Sequence, residues 1–177
     1  MTQEQRAAPG GEPVAVGRKA PAFSLKDQDG RTHRLRDYAG RWLVVYFYPR
    51  DQTSGCTKEA CQFRDSLPDF SGLGAAVLGV SPDSIDSHAR FRQKENLPFD
   101  LLADPEAKVL SKYGVWQEKS MYGRTYPGVV RTTYLIDPEG RVAERWDKVK
   151  VPGHAEAVLS RLRERSRTRA AGAGPAG

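Results

Sequence analysis

Residues 42–61 read WLVVYFYPRDQTSGCTKEAC, an apolar run followed by a polar turn and a helical pattern. The first seven residues are all apolar, β-branched or aromatic, and the run ends at Pro49. A continuous apolar run of this length is typical of a central strand that is covered on both faces. The polar turn leads into a helix predicted over about residues 56–70. A strand that leads directly into a helix indicates an α/β fold.

Strand and helix patterns also alternate on both sides of this unit. The other predicted elements are, in chain order, a hairpin over residues 22–35, a buried strand at 75–80, a helix at 84–96 with Ser84 as its N-cap, a short apolar segment at 101–103, a helix at 105–113, a hairpin over 132–146, and an amphipathic helix that starts near His154. This order predicts a mixed central sheet with helices on both faces.

Length and composition favour one soluble domain. The chain has 177 residues, of which 38% are hydrophobic and 28% are charged, enough for a single core. Residues 1–13 and 167–177 are rich in Gly, Ala, Pro and charge, which predicts disordered tails on either side of a domain at 14–166. With no long apolar stretch and no signal sequence at the start, we expect a cytoplasmic protein without a membrane partner.

The positive charge is concentrated near the C-terminus. The net charge is +6, and residues 141–177 contain nine Lys/Arg against four Asp/Glu. An arginine-rich end can form a patch for nucleic acid, or it can be the solvated end of a helix. We favour the solvated helix, and expect no nucleic-acid partner, because no aromatic residue is interleaved to stack on bases.

The chain has only two cysteines, Cys56 and Cys61. A structural zinc site needs about four ligands. The three histidines are spread along the chain, where we interpret them as surface or cap residues, so no metal is expected. Two inert core thiols are a second alternative. However, Cys56 follows a polar, glycine-containing turn, which is a poor place to bury an apolar side chain.

Cys56 has the setting of a nucleophile. It lies at the predicted start of a helix, where unpaired N–H groups and the helix dipole stabilise a thiolate. Thr53 or Ser54 can cap this helix, and Gly55 allows close approach of the backbone to a ligand.

Cys61 lies five residues further along the same predicted helix. Helical geometry places the two Cα atoms roughly 8.5 Å apart, beyond the about 4.4–6.8 Å that a disulfide accepts. If the two cysteines form a disulfide, the helix must unwind locally.

Residues 46–65 resemble the active-site segment of peroxiredoxins, and are most similar to the bacterioferritin-comigratory, or Q-type, subfamily. Further similar segments are VLGVSPDS (77–84), FDLLADPE (99–106), MYGRTYPGVVRTTYLIDPEGRV (121–142) and GHAEAVL (153–159). The resemblance covers roughly residues 14–162. It implies a thioredoxin-like fold with an N-terminal hairpin, and thiol-dependent reduction of hydrogen peroxide and organic hydroperoxides. No cofactor, whether metal, haem or flavin, is implied.

The resemblance also implies roles for individual residues. Cys56 would be the peroxidatic cysteine and Cys61 the resolving cysteine, which together form an intramolecular disulfide. Pro49 would shield the pocket, and the Thr53 hydroxyl would hydrogen-bond the thiolate and the peroxide. Arg131 would hold the thiolate and stabilise charge on the departing oxygen, unless it is an ordinary surface arginine.

Further expectations concern two residues near Cys56, the recycling route and the oligomeric state. Glu59 shares a helix face with Cys56 and would help to orient Arg131, although a plain surface ion pair is an alternative. Ser54 departs from the subfamily, which often has Pro there. There is no cysteine near the C-terminus, so recycling would use Cys61 or another molecule. Thioredoxin or a similar dithiol is the expected reductant, and a monomer is the expected state.

Two other functions use the same features. A redox sensor or thiol oxidoreductase would use both cysteines without peroxide turnover. A nucleic-acid-associated protein would act through the arginine-rich end, with salt-dependent binding.

Overall fold

A computed structural model describes residues 5–172, and its centre is a seven-stranded mixed sheet. The strands of the structure are β1 (Ser24–Lys26), β2 (Thr32–Arg34), β3 (Trp42–Phe47), β4 (Ala75–Ser81), β5 (Asp100–Ala103), β6 (Trp116–Met121), β7 (Arg124–Val129), β8 (Thr132–Ile136) and β9 (Val142–Trp146). The sheet order is β2-β1-β5-β4-β3-β8-β9, while β6 and β7 form a separate hairpin.

Helices cover both faces of this sheet, as predicted. They are α1 (Ser54–Gly72), α2 (Ile85–Lys94), α3 (Lys108–Lys112) and α4 (His154–Gly172), with a 3-10 turn at Leu35–Tyr38. One buried cluster contains apolar side chains of α1, α2 and α4, and the other contains side chains of α3. The sheet therefore lies between two apolar layers, in a thioredoxin-like α/β fold.

Strand β3 is the central strand that the opening stretch predicts. It runs parallel to β4 and antiparallel to β8, and all six of its residues are buried. Val44 and Tyr46 belong to one apolar cluster, whereas Leu43 and Val45 belong to the other. The continuous apolar run thus supplies both faces of the sheet, and its C-terminal end delivers the chain to the start of α1.

Helix α1 contains both cysteines in unbroken helical structure, about two residues longer at each end than predicted. Thr53 occupies the N-cap position, but its side chain makes no capping hydrogen bond. Its hydroxyl instead donates to the carbonyl oxygen of Arg50 at 2.9 Å. The N-terminus of α1 is therefore set by the backbone of the preceding turn.

Two elements differ from the sequence prediction. The β6–β7 hairpin was not predicted, because Trp116–Met121 is mostly polar, with only Trp116 buried and no strong apolar alternation. Helix α3 is shorter than the predicted 105–113, because Ala107 has a left-handed backbone with φ of 57°. The buried Asp104 carboxylate accepts the backbone N–H of Leu110 at 2.8 Å and fixes this turn.

Both ends of the chain are structured where tails were expected. Between residues 5 and 13, the backbone of Ala7 accepts the indole N–H of the buried Trp116 at 2.8 Å and donates to the carbonyl of Glu106 at 2.8 Å. At the other end, α4 continues to Gly172, so residues 167–172 are helical. The remaining tail residues, 1–4 and 173–177, lie outside the described range.

The arginines of α4 are partly neutralised by neighbouring acids. Arg161 and Arg165 both pair with Glu144 on β9 at 2.7 Å, and Arg169 pairs with Glu139. These contacts favour the interpretation of the basic end as the solvated face of a packed helix. Among residues 5–172, no helix combines the length and apolarity that crossing a membrane requires.

Candidate active site

The thiol of Cys56 is buried in the first turn of α1, with 1% of the residue exposed. Arg131, in the short connection between β7 and β8, donates from Nη2 to Cys56 Sγ at 3.3 Å. The two residues are brought together because β3, which precedes α1, pairs directly with β8. A guanidinium beside a sulfur at a helix N-terminus stabilises its anionic form.

Glu59 holds the other side of the guanidinium. Arg131 Nη1 donates to Glu59 Oε1 at 2.6 Å, so the planar fork spans a thiol and a carboxylate one helical turn apart. Glu59 is fully buried, and its Oε2 atom has no partner among the described residues. Burial raises the pKa of Glu59 to about 7, against the opposing effect of Arg131. The alternative of a surface ion pair is wrong for this residue.

Gly55 makes room for the guanidinium. A Cβ atom added at Gly55 would lie 3.2 Å from Arg131 Nη2, tighter than ordinary van der Waals contact. A side chain here would press on the guanidinium, so the glycine permits the close approach of Arg131 to this turn.

Neither Thr53 nor Pro49 makes a polar contact with the sulfur of Cys56 in the described structure. Thr53 is exposed and donates to Arg50, and Pro49 is half-buried directly after the buried Tyr48. A hydrogen bond from Thr53 to the thiolate or to a bound peroxide stays a prediction.

Cys61 lies in a different environment, toward α2. Its Sγ lies 3.7 Å from Glu95 Oε2, and its pKa is raised, chiefly by burial. Arg64 donates to the backbone carbonyl of Glu95 at 2.8 Å, which holds Glu95 close to Cys61. Both cysteines are free thiols, so this is the reduced form with α1 fully wound.

Several residues near the site were missed or misplaced by sequence reasoning. His88 and His154 are buried rather than surface residues, with 0% and 5% exposed. The pKa of His154 is lowered to about 4 by burial and by Arg131, so this ring stays neutral near the site. No pattern of residue spacing in the sequence identifies these two histidines, because their hydrogen-bond partners lie far away along the chain.

Lys119 on β6 adds positive charge to this region. It is half-buried, and its pKa is lowered by burial and by Arg131, while Cys56 acts in the opposite direction. The β6–β7 hairpin, which was not predicted, therefore places a lysine where it interacts electrostatically with the Cys56 thiol.

Two groups of possible metal-ligating side chains occur among the described residues, each with its ligand atoms within 4.8 Å: Asp27, His33 and Asp100, and Asp51, Asp83 and His88. In each group a histidine nitrogen lies 2.7 Å from a carboxylate oxygen. Hydrogen bonding within each group accounts for the clustering.

The titration of Glu59 predicts a pH-dependent stability. A carboxyl group whose pKa rises from 4.5 to about 7 on folding stabilises the fold below pH 4.5, and this contribution is lost as the pH rises through 7. Relative to Glu59→Gln, the free energy of unfolding of the wild type should fall by about 3 kcal/mol over this interval.

The measurement is urea unfolding of both proteins between pH 4.5 and 8. Glu118→Gln, an exposed position on β6, is the matched control and should track the wild type. Parallel curves for wild type and Glu59→Gln would contradict a raised pKa at Glu59.

Comparison with known proteins connects this geometry to a family. Residues 16–145 match the family model of the AhpC/TSA family. The chain belongs to this family. It is 48% identical over 153 residues to peroxiredoxin Bcp of Bacillus subtilis, covering 86% of this chain and 98% of that protein. It is 43% identical over 152 residues to peroxiredoxin Bcp of Escherichia coli K12, covering 86% and 97%.

Solved structures give the same result. A structure of Xanthomonas campestris peroxiredoxin Q superimposes with a TM-score of 0.81 at 42% identity, over 85% of this chain and 98% of that one. Peroxidoxin BcpB of Mycobacterium tuberculosis superimposes with a TM-score of 0.76 at 33% identity, over 85% and 97%. The thioredoxin-like fold is confirmed, and the chain is a peroxiredoxin, a thiol peroxidase similar to the Bcp and Q-type members.

Proposed function

We propose that this peroxiredoxin reduces hydrogen peroxide and organic hydroperoxides through Cys56, resolves the product with Cys61, and is recycled by thioredoxin or a similar dithiol. The observation that supports this most directly is the 3.3 Å contact from Arg131 Nη2 to Cys56 Sγ at the start of α1. It gives one of the two thiols the setting of a stabilised nucleophile.

In the first step the Cys56 thiolate attacks one peroxide oxygen, and the O–O bond breaks. Cys56 becomes a sulfenic acid, while the second oxygen leaves as hydroxide or alkoxide and takes a proton to become water or alcohol. Arg131 is positioned to stabilise the negative charge as it passes from sulfur to oxygen. Thr53 would supply a further hydrogen bond to the bound peroxide.

In the second step the Cys61 thiol condenses with the sulfenic acid, forming the S–S bond and releasing water. Both residues lie in the continuous helix α1, so its first turns must unwind and the contact of Cys61 with Glu95 must break. A dithiol then reduces the disulfide by exchange and is itself oxidised.

The proposed substrates and setting follow from this cycle. The similar Xanthomonas campestris bacterioferritin comigratory protein has alkyl peroxide reduction activity, which supports organic hydroperoxides as substrates here. An intramolecular disulfide needs no second subunit, so we propose a monomer. Dithiol reductants are maintained in the cytoplasm, where we propose that it acts.

The direct test is consumption of hydrogen peroxide and an alkyl hydroperoxide by the purified protein with thioredoxin, thioredoxin reductase and NADPH. We expect peroxide-dependent NADPH oxidation. Rapid exchange with protein disulfides without reduction of either peroxide would overturn the proposal in favour of a thiol oxidoreductase.

The Cys61→Ser variant should separate oxidation from recycling. It should reduce about one peroxide per chain at the wild-type rate, because Cys56 and Arg131 are unchanged, while thioredoxin-dependent turnover falls at least about tenfold. Mass spectrometry should find a trapped Cys56 sulfenic acid in this variant and a Cys56–Cys61 disulfide in the oxidised wild type. Failure to find that disulfide would remove the resolving role of Cys61.

A further inference from the structure

A buried polar network lies immediately before the active-site turn. The carboxylate of Asp51 accepts the hydroxyl of Tyr48 at 2.6 Å and the hydroxyl of Ser87 at 2.8 Å, and it lies 2.7 Å from Nδ1 of His88. Asp51, Tyr48 and His88 are buried. None of these contacts belongs to the Cys56, Glu59 and Arg131 cluster, yet Asp51 is two residues from Thr53.

The hydrogen-bond partners of His88 and Tyr48 bear on the protonation of this network. His88 Nε2 faces the backbone carbonyl of Leu102 at 3.0 Å, and a carbonyl only accepts, so Nε2 carries a hydrogen. Nδ1 faces the Asp51 carboxylate, which already accepts two hydroxyl groups. The Tyr48 hydroxyl, one of these two, stays a donor because burial raises its pKa well above the ordinary value. The two ring nitrogens of His88 thus lie opposite two oxygen atoms, one on the side chain of Asp51 and one on the backbone of Leu102.

The same network fixes the main chain. The backbone N–H of Asp51 donates to Asp83 Oδ2 at 2.8 Å, and the same oxygen accepts the Ser81 hydroxyl at 2.6 Å. Position 51 is thus tied to the end of β4 and to α2 through both its backbone and its side chain. The next residue, Gln52, has a left-handed backbone with φ of 62°, and α1 begins two residues later.

We propose that His88 is an imidazolium paired with the Asp51 carboxylate, and that this ion pair is a positioning device for the peroxidatic cysteine. It holds the chain up to residue 51 in place while the first turns of α1 unwind and rewind, so that the motion begins at Gln52 and Cys56 returns to Arg131. This proposal rests on the proposed function, in which α1 must open during each cycle. Asp51 and His88 act through the loop and do not touch the reacting atoms.

The protonation can be tested without any activity. In ¹⁵N-labelled wild-type protein at neutral pH, NMR should show a hydrogen on both ring nitrogens of His88. Asp51→Asn, which removes the anion, should leave one hydrogen on that ring. A His88 ring that carries a single hydrogen in the wild type would overturn the ion pair, whatever the peroxidase assay shows.

The positioning role can be tested by rapid kinetics. His88→Gln keeps one donor but cannot carry the charge or span both partners, and it should slow the first oxidation of Cys56 about tenfold. The matched control is His33→Gln, at a half-buried histidine that also faces a carboxylate, with its Nε2 atom 2.7 Å from Asp27 on the sheet edge. It should be destabilised without a change in that rate.

Equal oxidation rates for wild type and His88→Gln, measured where both are fully folded, would overturn the positioning role. If the wild type itself consumes no peroxide, the proposed function fails, while the NMR result for the ion pair stands separately.

Discussion

The Cys56→Ser variant is expected to lose peroxide reduction, with kcat/KM at least about a thousandfold below that of the wild type. The thiolate is the attacking species, and a serine hydroxyl stays protonated at neutral pH even beside Arg131. Serine also has no sulfenic acid stage, so nothing forms for Cys61 to attack. The measurement is peroxide consumption with the thioredoxin system, together with oxidation of the protein by stoichiometric peroxide.

The substitution should leave the fold intact, because serine is close to cysteine in size and Arg131 can still donate to its oxygen. Thermal unfolding followed by circular dichroism checks this point. Substantial peroxidase activity in a folded Cys56→Ser protein would mean that the nucleophile lies elsewhere, and Cys61 would be the only remaining thiol.

The elements that could be predicted from the sequence are those whose pattern depends only on neighbouring residues. The apolar run of β3, the glycine turn between β1 and β2, and the apolar stripe of α4 each depend on nearby residues, and all three elements are present. The β6–β7 hairpin was missed because its residues are largely exposed and bury no continuous apolar face. The N-terminal segment was predicted as a tail because its order comes from Trp116, a contact that composition does not encode.

Local sequence patterns likewise identify only part of the candidate site. Cys56 could be identified from its turn and helix start, but its 3.3 Å contact with Arg131, 75 positions away, depends on the pairing of β3 with β8. The family resemblance supplied that arginine, and no local pattern would have done so. The burial of Glu59 and the Asp51–His88 pair could not be predicted, because both result from packing between distant elements.

Replacement of Arg131 should affect both catalysis and stability. In Arg131→Met the developing charge on oxygen loses its main stabilising group, so the rate of Cys56 oxidation should fall about a hundredfold or more. The fold should lose about 3–5 kcal/mol, since Glu59 would remain buried without its cation. The loss should be smaller at pH 5 than at pH 8, because a protonated Glu59 needs no partner.

A double variant separates these two effects. In Arg131→Met/Glu59→Gln the buried carboxylate is gone, so most of the lost stability should return while the oxidation rate stays low. Arg124→Met, at an exposed arginine of the β6–β7 hairpin, is the matched control and should change neither. Stopped-flow oxidation and urea unfolding measure the two quantities on the same proteins. If the double variant regained the wild-type rate, Arg131 would serve only to neutralise Glu59, and the charge on the departing oxygen would have to be stabilised by another group.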